Sequence, residues 1–123
     1  MKIMIVDDHA DMRRVLRSIV SFSTVETSEI IECDSGEEAV GKYILQQPDC
    51  VLMDVELKGM NGFETTEKIY TQDSNANVVI VTSYDTTAFR SRAEKLHVKG
   101  FISKDKLSDI KQILQNITYN RGT

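Results

Sequence analysis

The sequence sets little aside for staples or spacers. It holds two cysteines and one proline, Pro48. Cys33 and Cys50 form no CxxC pair and no Cys/His spacing, and both adjoin apolar runs. That excludes a zinc knuckle or redox motif and reads as two buried, reduced thiols acting as small hydrophobes. No stretch approaches the roughly 18 apolar residues of a membrane span. With no leader segment in view, the expected compartment is the cytoplasm. An excess of basic charge is also missing: 15 Lys and Arg face 19 Asp and Glu, a net charge of −4. That balance argues against direct nucleic-acid binding, which needs a basic face. No repeat, linker or low-complexity segment interrupts the chain.

What is present suffices for one domain. A chain of 123 residues, 41% hydrophobic, can build a core without disulfides. Short β-rich apolar runs recur at a steady interval: Ile3–Val6, Ile30–Ile31, Val51–Met53, Val78–Val81 and Phe101–Ile102. Three of them are unbroken rather than alternating, as suits strands covered on both faces of a parallel sheet. The second is short and flanked by Glu29 and Glu32, as an edge strand should be.

Between these runs the period turns helical. Met12, Val15, Leu16, Ile19 and Val20 make one stripe, and Ala39, Val40, Tyr43 and Ile44 a second. Ser35 and Glu38 read as a capping box opening that second helix. Phe63, Thr66, Ile69 and Tyr70 make a third stripe. Thr86 to Lys95 has poor helix formers and is assigned as a helix because neighbouring parallel strands need a crossover. Leu107, Ile110, Ile113, Leu114 and Ile117 mark the last helix. The pattern predicts an α/β, three-layer, doubly wound (βα)5 flavodoxin-like fold, with a parallel five-stranded sheet of order 2-1-3-4-5. The domain is expected over 1–119, followed by a frayed tail at 120–123, with no effector domain in the chain.

Ligands of open α/β sheets bind beyond the carboxyl ends of the strands, at the switch point of the order. The first run ends in Asp7-Asp8, the third in Asp54 and the fourth in Thr82-Ser83, and Lys104 follows the fifth. The second ends in Cys33-Asp34, away from the centre. Three carboxylates, a hydroxyl and an ammonium therefore share one rim. Crowded carboxylates repel unless a cation joins them. Mg²⁺ takes oxygen ligands, and a metal beside a carboxylate with a lysine opposite is equipment for phosphoryl transfer onto that carboxylate. Taken singly, Asp7-Asp8 would read as a solvated helix start and Thr82 as a strand-end cap.

Five motifs stand in order, four at strand ends and one downstream of the third: Ile5-Val6-Asp7-Asp8-His9, Val51-Leu52-Met53-Asp54, the downstream Met60-Asn61-Gly62, Val81-Thr82-Ser83 and Gly100-Phe101-Ile102-Ser103-Lys104. With them the chain, from Lys2 to about Ile117, resembles the receiver domain of two-component response regulators. The resemblance implies that Asp54 is the phosphoacceptor. It implies a Mg²⁺ ion, with Mn²⁺ as a substitute, held by Asp8, by Asp54, by the backbone carbonyl of Glu56, and by Asp7 through water. Thr82 and Lys104 would contact the phosphoryl oxygens, and Thr82 with Phe101 would form the switch. Glu56 and Tyr84 stand where receivers tune the phosphoryl lifetime, although Tyr84 also reads as a plain surface residue.

The implied activity is a signalling switch that catalyses only its own phosphorylation and dephosphorylation. Its partners would be a sensor histidine kinase or a phosphotransfer protein, docked on the first helix near Arg13, Arg14 and Arg17. Those arginines read equally as a solvated face. The face made by helix 4, strand 5 and helix 5 would control an output or a second copy in a homodimer, with no membrane contact.

Departures from the family pattern include Leu57-Lys58 in place of Met-Pro, and Lys104-Asp105 in place of Lys-Pro. The Asp-Asp-His and Lys-Asp spellings resemble receivers joined to helix-turn-helix output domains, so both a free-standing receiver and a piece of a longer regulator fit. A flavodoxin would need a phosphate-cradling loop after strand 1, where Asp7-Asp8 stand. A haloacid-dehalogenase phosphatase would need its nucleophile at strand 1. The remaining alternative is a phosphate-independent, receiver-like protein-interaction module.

Overall fold

A computed structural model describes residues 1–23, 25–27 and 29–122. The strands are β1 (Lys2–Val6), β2 (Glu29–Cys33), β3 (Cys50–Met53), β4 (Val78–Thr82) and β5 (Gly100–Ser103). The helices are α1 (Ala10–Ser21), α2 (Gly36–Gln46), α3 (Gly62–Gln72), α4 (Thr87–Lys95) and α5 (Ile110–Gly122). All four ladders are parallel and the order is β2-β1-β3-β4-β5. The expected α/β architecture is the one observed.

The sheet is covered on both sides, which is why its central strands read as continuous apolar runs. Alternate residues serve opposite layers. Ile3 and Ile5 pack with Leu16 and Val20 of α1 and with Ile110, Leu114 and Ile117 of α5. Met4 and Val6 pack on the other face with Ala39 and Tyr43 of α2, Phe63 and Ile69 of α3, and Ala93 of α4. β3 and β4 are buried along their whole length, whereas the edge strand β2 keeps Glu29 and Glu32 in solvent. Cys33 and Cys50 are free and buried. Burial pushes their thiols up to about 11 and about 12, so neither is a thiolate at neutral pH.

Three local details differ from expectation. Ser35 caps α2 by accepting the Glu38 N–H at 3.0 Å, but the Glu38 carboxylate reaches to the Asp34 N–H at 2.8 Å, so the reciprocal half of the box is displaced by one residue. The complete capping box opens α3, between Asn61 and Glu64. Leu107 belongs to a 3-10 stretch over Lys104–Asp109, broken at Lys106 (φ −132°, ψ 47°), and the α-helix begins only at Ile110. At the other end, Asn120, Arg121 and Gly122, expected in a frayed tail, are helical, and Thr123 lies outside the described residues.

Candidate functional site

Register brings the site together. Val6 pairs with Met53, so the next residues, Asp7 and Asp54, emerge side by side, and the Asp54 N–H donates to the Val6 carbonyl at 2.9 Å. Thr82 pairs with Ser103, which puts Lys104 one step beyond the same edge. β1 and β3 flank the point where the strand order reverses, the ligand position of open α/β sheets.

Each of these four strand ends uses one device. A side-chain oxygen accepts the N–H two residues on: Asp7 Oδ1 from His9 at 2.9 Å, Asp54 Oδ1 from Glu56 at 3.3 Å, Thr82 Oγ1 from Tyr84 at 3.1 Å, and Ser103 Oγ from Asp105 at 3.2 Å. These Asx- and Ser/Thr-type turns lead the chain off the sheet while fixing the oxygen that makes them. The Lys104–Asp105 peptide is trans.

The charges are buried and close. Asp7 is fully buried, Asp54 is 2% exposed and Thr82 is buried. Lys104 Nζ donates to Asp7 Oδ2 at 3.0 Å and lies 3.4 Å from Asp54 Oδ1. His9 Nδ1 lies 2.9 Å from Asp8 Oδ1 and 3.3 Å from Asp7 Oδ1. Burial, reinforced by the Asp7 charge, pushes the Asp54 carboxyl up to about 6, against the opposing pull of Lys104 and the Glu56 N–H. Among the described residues, two buried carboxylate oxygens accept no hydrogen bond: Asp54 Oδ2, and Asp8 Oδ1, which has the His9 imidazole beside it.

An open cleft of about 460 Å³ lies over them, lined by Asp8, His9, Asp54, Glu56, Leu57, Lys58, Ser83, Tyr84 and Lys104. One ligand atom each from Asp7, Asp8, His9 and Asp54 lies within 4.8 Å of all the others. Hard oxygen donors, with Asp54 Oδ2 buried without a partner, fit a hard divalent cation. Asp54 lines the open cleft while its Oδ2 is itself shielded from solvent.

Each residue singled out from the sequence can be placed. Asp7, Asp8, Asp54 and Lys104 converge. Glu56 lines the cleft and donates its N–H to Asp54, and Tyr84 lines it from the β4–α4 loop, half exposed. Thr82 stands at the edge, with its hydroxyl engaged by Tyr84. Phe101 is set back, partly buried against the α2–α4 side of the core, beneath Arg90. Asp34 follows the edge strand β2 and does not line the cleft.

The sequence expectations carry His9 only within its motif, with no role of its own. They also miss Arg13, whose guanidinium donates to the Asp7 carbonyl at 2.7 Å while pairing with Glu32. Nothing in the spelling separates Arg13 from Arg14 and Arg17. The motif Met60-Asn61-Gly62 gains a reason at Gly62, where a Cβ would lie 2.1 Å from the Asp54 carbonyl oxygen. The start of α3 therefore presses on the backbone of Asp54, which only glycine permits.

Comparison with known proteins agrees with this fold. The family described as response regulator receiver domain matches residues 3–117. The chemotaxis protein CheY of Thermotoga maritima is 35% identical over 103 residues, 84% of each chain. The response regulator GacA of Pseudomonas syringae is 31% identical over 84% of this chain, which spans 48% of that protein. Among solved structures, a LuxR-family two-component response regulator from Aurantimonas sp. superposes with a TM-score of 0.84 at 27% identity, covering 99% of this chain and 98% of that one. The chain belongs to the response regulator receiver domain family.

Proposed function

We propose that this receiver domain is a phosphoacceptor switch in which Asp54 takes a phosphoryl group from a phosphohistidine on a sensor kinase or phosphotransfer protein. The observation that carries this reading is the bare, buried Oδ2 of Asp54 beside Asp7, Asp8 and Lys104. In the transfer one Asp54 oxygen bonds to phosphorus. The P–N bond to the donor breaks, and its electron pair stays with the departing imidazole nitrogen.

Asp8, Asp54 and the Glu56 carbonyl would hold Mg²⁺, with Asp7 acting through water. The ion, when bound, offsets charge gathering on the transferring oxygens. Lys104, 3.4 Å from Asp54 Oδ1, would pair with a second oxygen of the new group. The Thr82 hydroxyl accepts from Tyr84 and so keeps its own proton for donation to a third. Movement at Thr82 would reach the face formed by α4, β5 and α5 through the β4–α4 loop and Phe101, where a partner or output would sense it. Glu56 and Tyr84, at the cleft mouth, would set how easily water reaches the phosphoryl group.

The test is incubation with acetyl phosphate and Mg²⁺ followed by intact mass measurement. One phosphoryl addition, absent in Asp54→Asn and absent with chelator, is expected. Labelling that survives Asp54→Asn overturns the assignment. No labelling under any condition favours a phosphate-independent interaction module.

A further inference from the structure

We infer that His9 is a nitrogen ligand of the cation site and biases it toward first-row transition ions over Mg²⁺. The inference rests on the metal-holding part of the proposed function and adds a residue to it. His9 is the N-cap of α1, yet its side chain makes no capping bond. Its backbone N–H is held by Asp7 Oδ1, which fixes where the imidazole starts. The imidazole turns to the acidic cluster, with Nδ1 2.9 Å from Asp8 Oδ1 and 3.3 Å from Asp7 Oδ1.

A second, independent observation makes this more than a group of acids. Asp54 is 98% shielded, with its Oδ2 unpartnered, and it lines the cleft that His9 also lines. His9 Nδ1 belongs to the set of ligand atoms that share one 4.8 Å neighbourhood. Carboxylates alone make a hard site suited to Mg²⁺. A neutral imidazole adds little for Mg²⁺ but strengthens binding along the series from Mn²⁺ to Zn²⁺. The side chain is largely exposed, so it can reorient toward an ion without repacking the core.

The experiment compares Mg²⁺ and Mn²⁺ binding by calorimetry in the wild type, His9→Ala and His9→Asn. Electron spin-echo envelope modulation of the Mn²⁺-loaded proteins reads nitrogen coordination directly. Imidazole ¹⁴N modulation is expected in the wild type and absent in both variants. Mn²⁺ affinity is expected to fall about tenfold in the variants, and Mg²⁺ affinity to stay within about twofold. A wild-type spectrum without nitrogen coupling overturns the proposal, as does an equal loss for both ions. Mg²⁺-dependent labelling of Asp54 in His9→Ala separates the two ideas: if it persists while nitrogen coupling is absent, only the role of His9 fails. Absence of any metal binding ends both.

Discussion

Lys104 places one ammonium between two buried carboxylates, 3.0 Å from Asp7 Oδ2 and 3.4 Å from Asp54 Oδ1. Removing that charge strands both. Lys104→Met should lower metal-free stability at neutral pH by about 2 kcal/mol, less than for a sealed ion pair because Asp54 can take up a proton instead. In an Asp54→Asn background, where only Asp7 is left stranded, the same substitution should cost less. Urea unfolding of the four proteins measures the coupling, and equal costs in the two backgrounds would contradict a shared lysine.

The raised Asp54 carboxyl sets the sign of a pH effect. A folded value near 6, above the ordinary carboxylate value, means the folded state holds this proton more tightly. The group's stabilising contribution is then complete below about pH 4 and lost as pH rises through about 6. Asp54→Asn escapes that loss. Without metal it should match the wild type near pH 4 and exceed it by on the order of 1–2 kcal/mol near pH 7.5, allowing for solvent in the cleft. Denaturant midpoints across that range test it, and a gap that narrows with rising pH would refute it.

Two glycines should respond in opposite directions. A methyl at Gly62 meets the Asp54 carbonyl oxygen at 2.1 Å, while one at Gly41, on the exposed side of α2, meets nothing within 4 Å. Gly62→Ala should cost about 3 kcal/mol through backbone displacement. Gly41→Ala should add about 0.8 kcal/mol through helix propensity. Thermal melts of the pair provide the comparison.

The Arg90 guanidinium lies 4.7 Å from the centre of the Phe101 ring and pairs with Asp85 of the β4–α4 loop. On the proposed reading this clasp holds the aromatic ring in its resting place. Arg90→Ala should change stability by less than about 1 kcal/mol. It should also loosen the ring, seen in aromatic NMR relaxation, and raise the rate of acetyl phosphate labelling about two- to fivefold. Slower labelling would show that the clasp supports the active arrangement instead.

Much of this was readable in the residues. The unbroken runs at Ile3–Val6, Val51–Met53 and Val78–Val81 announced doubly covered strands because burial on both faces suppresses alternation. Asp7, Asp8, Asp54 and Lys104 were legible because strand ends in such a sheet converge. What stayed hidden depends on side-chain direction. Glu38 finds the Asp34 N–H rather than its own cap residue, while the complete box stands at Asn61 and Glu64, where the apolar stripe beginning at Phe63 does not mark the cap. The 3-10 stretch after Lys104 carries the same apolar spacing at Leu107 and Ile110 as a helix would, so periodicity alone could not separate them. Arg13 touches the site by crossing from α1 to the Asp7 carbonyl, a contact that only the packed helix reveals.

The turn at Ser103 explains how this chain manages without the Lys-Pro pair of many receivers. Ser103 Oγ is held by the Asp105 N–H, a donor that proline does not possess. The loop behind Lys104 is thus tied by a hydrogen bond between its two neighbours, where a ring would otherwise restrict the backbone. Residues 103 and 105 accordingly act as one structural unit. Across relatives, a hydroxyl before the lysine should travel with a non-proline after it, and a proline after it should release the preceding position to any residue that suits the strand.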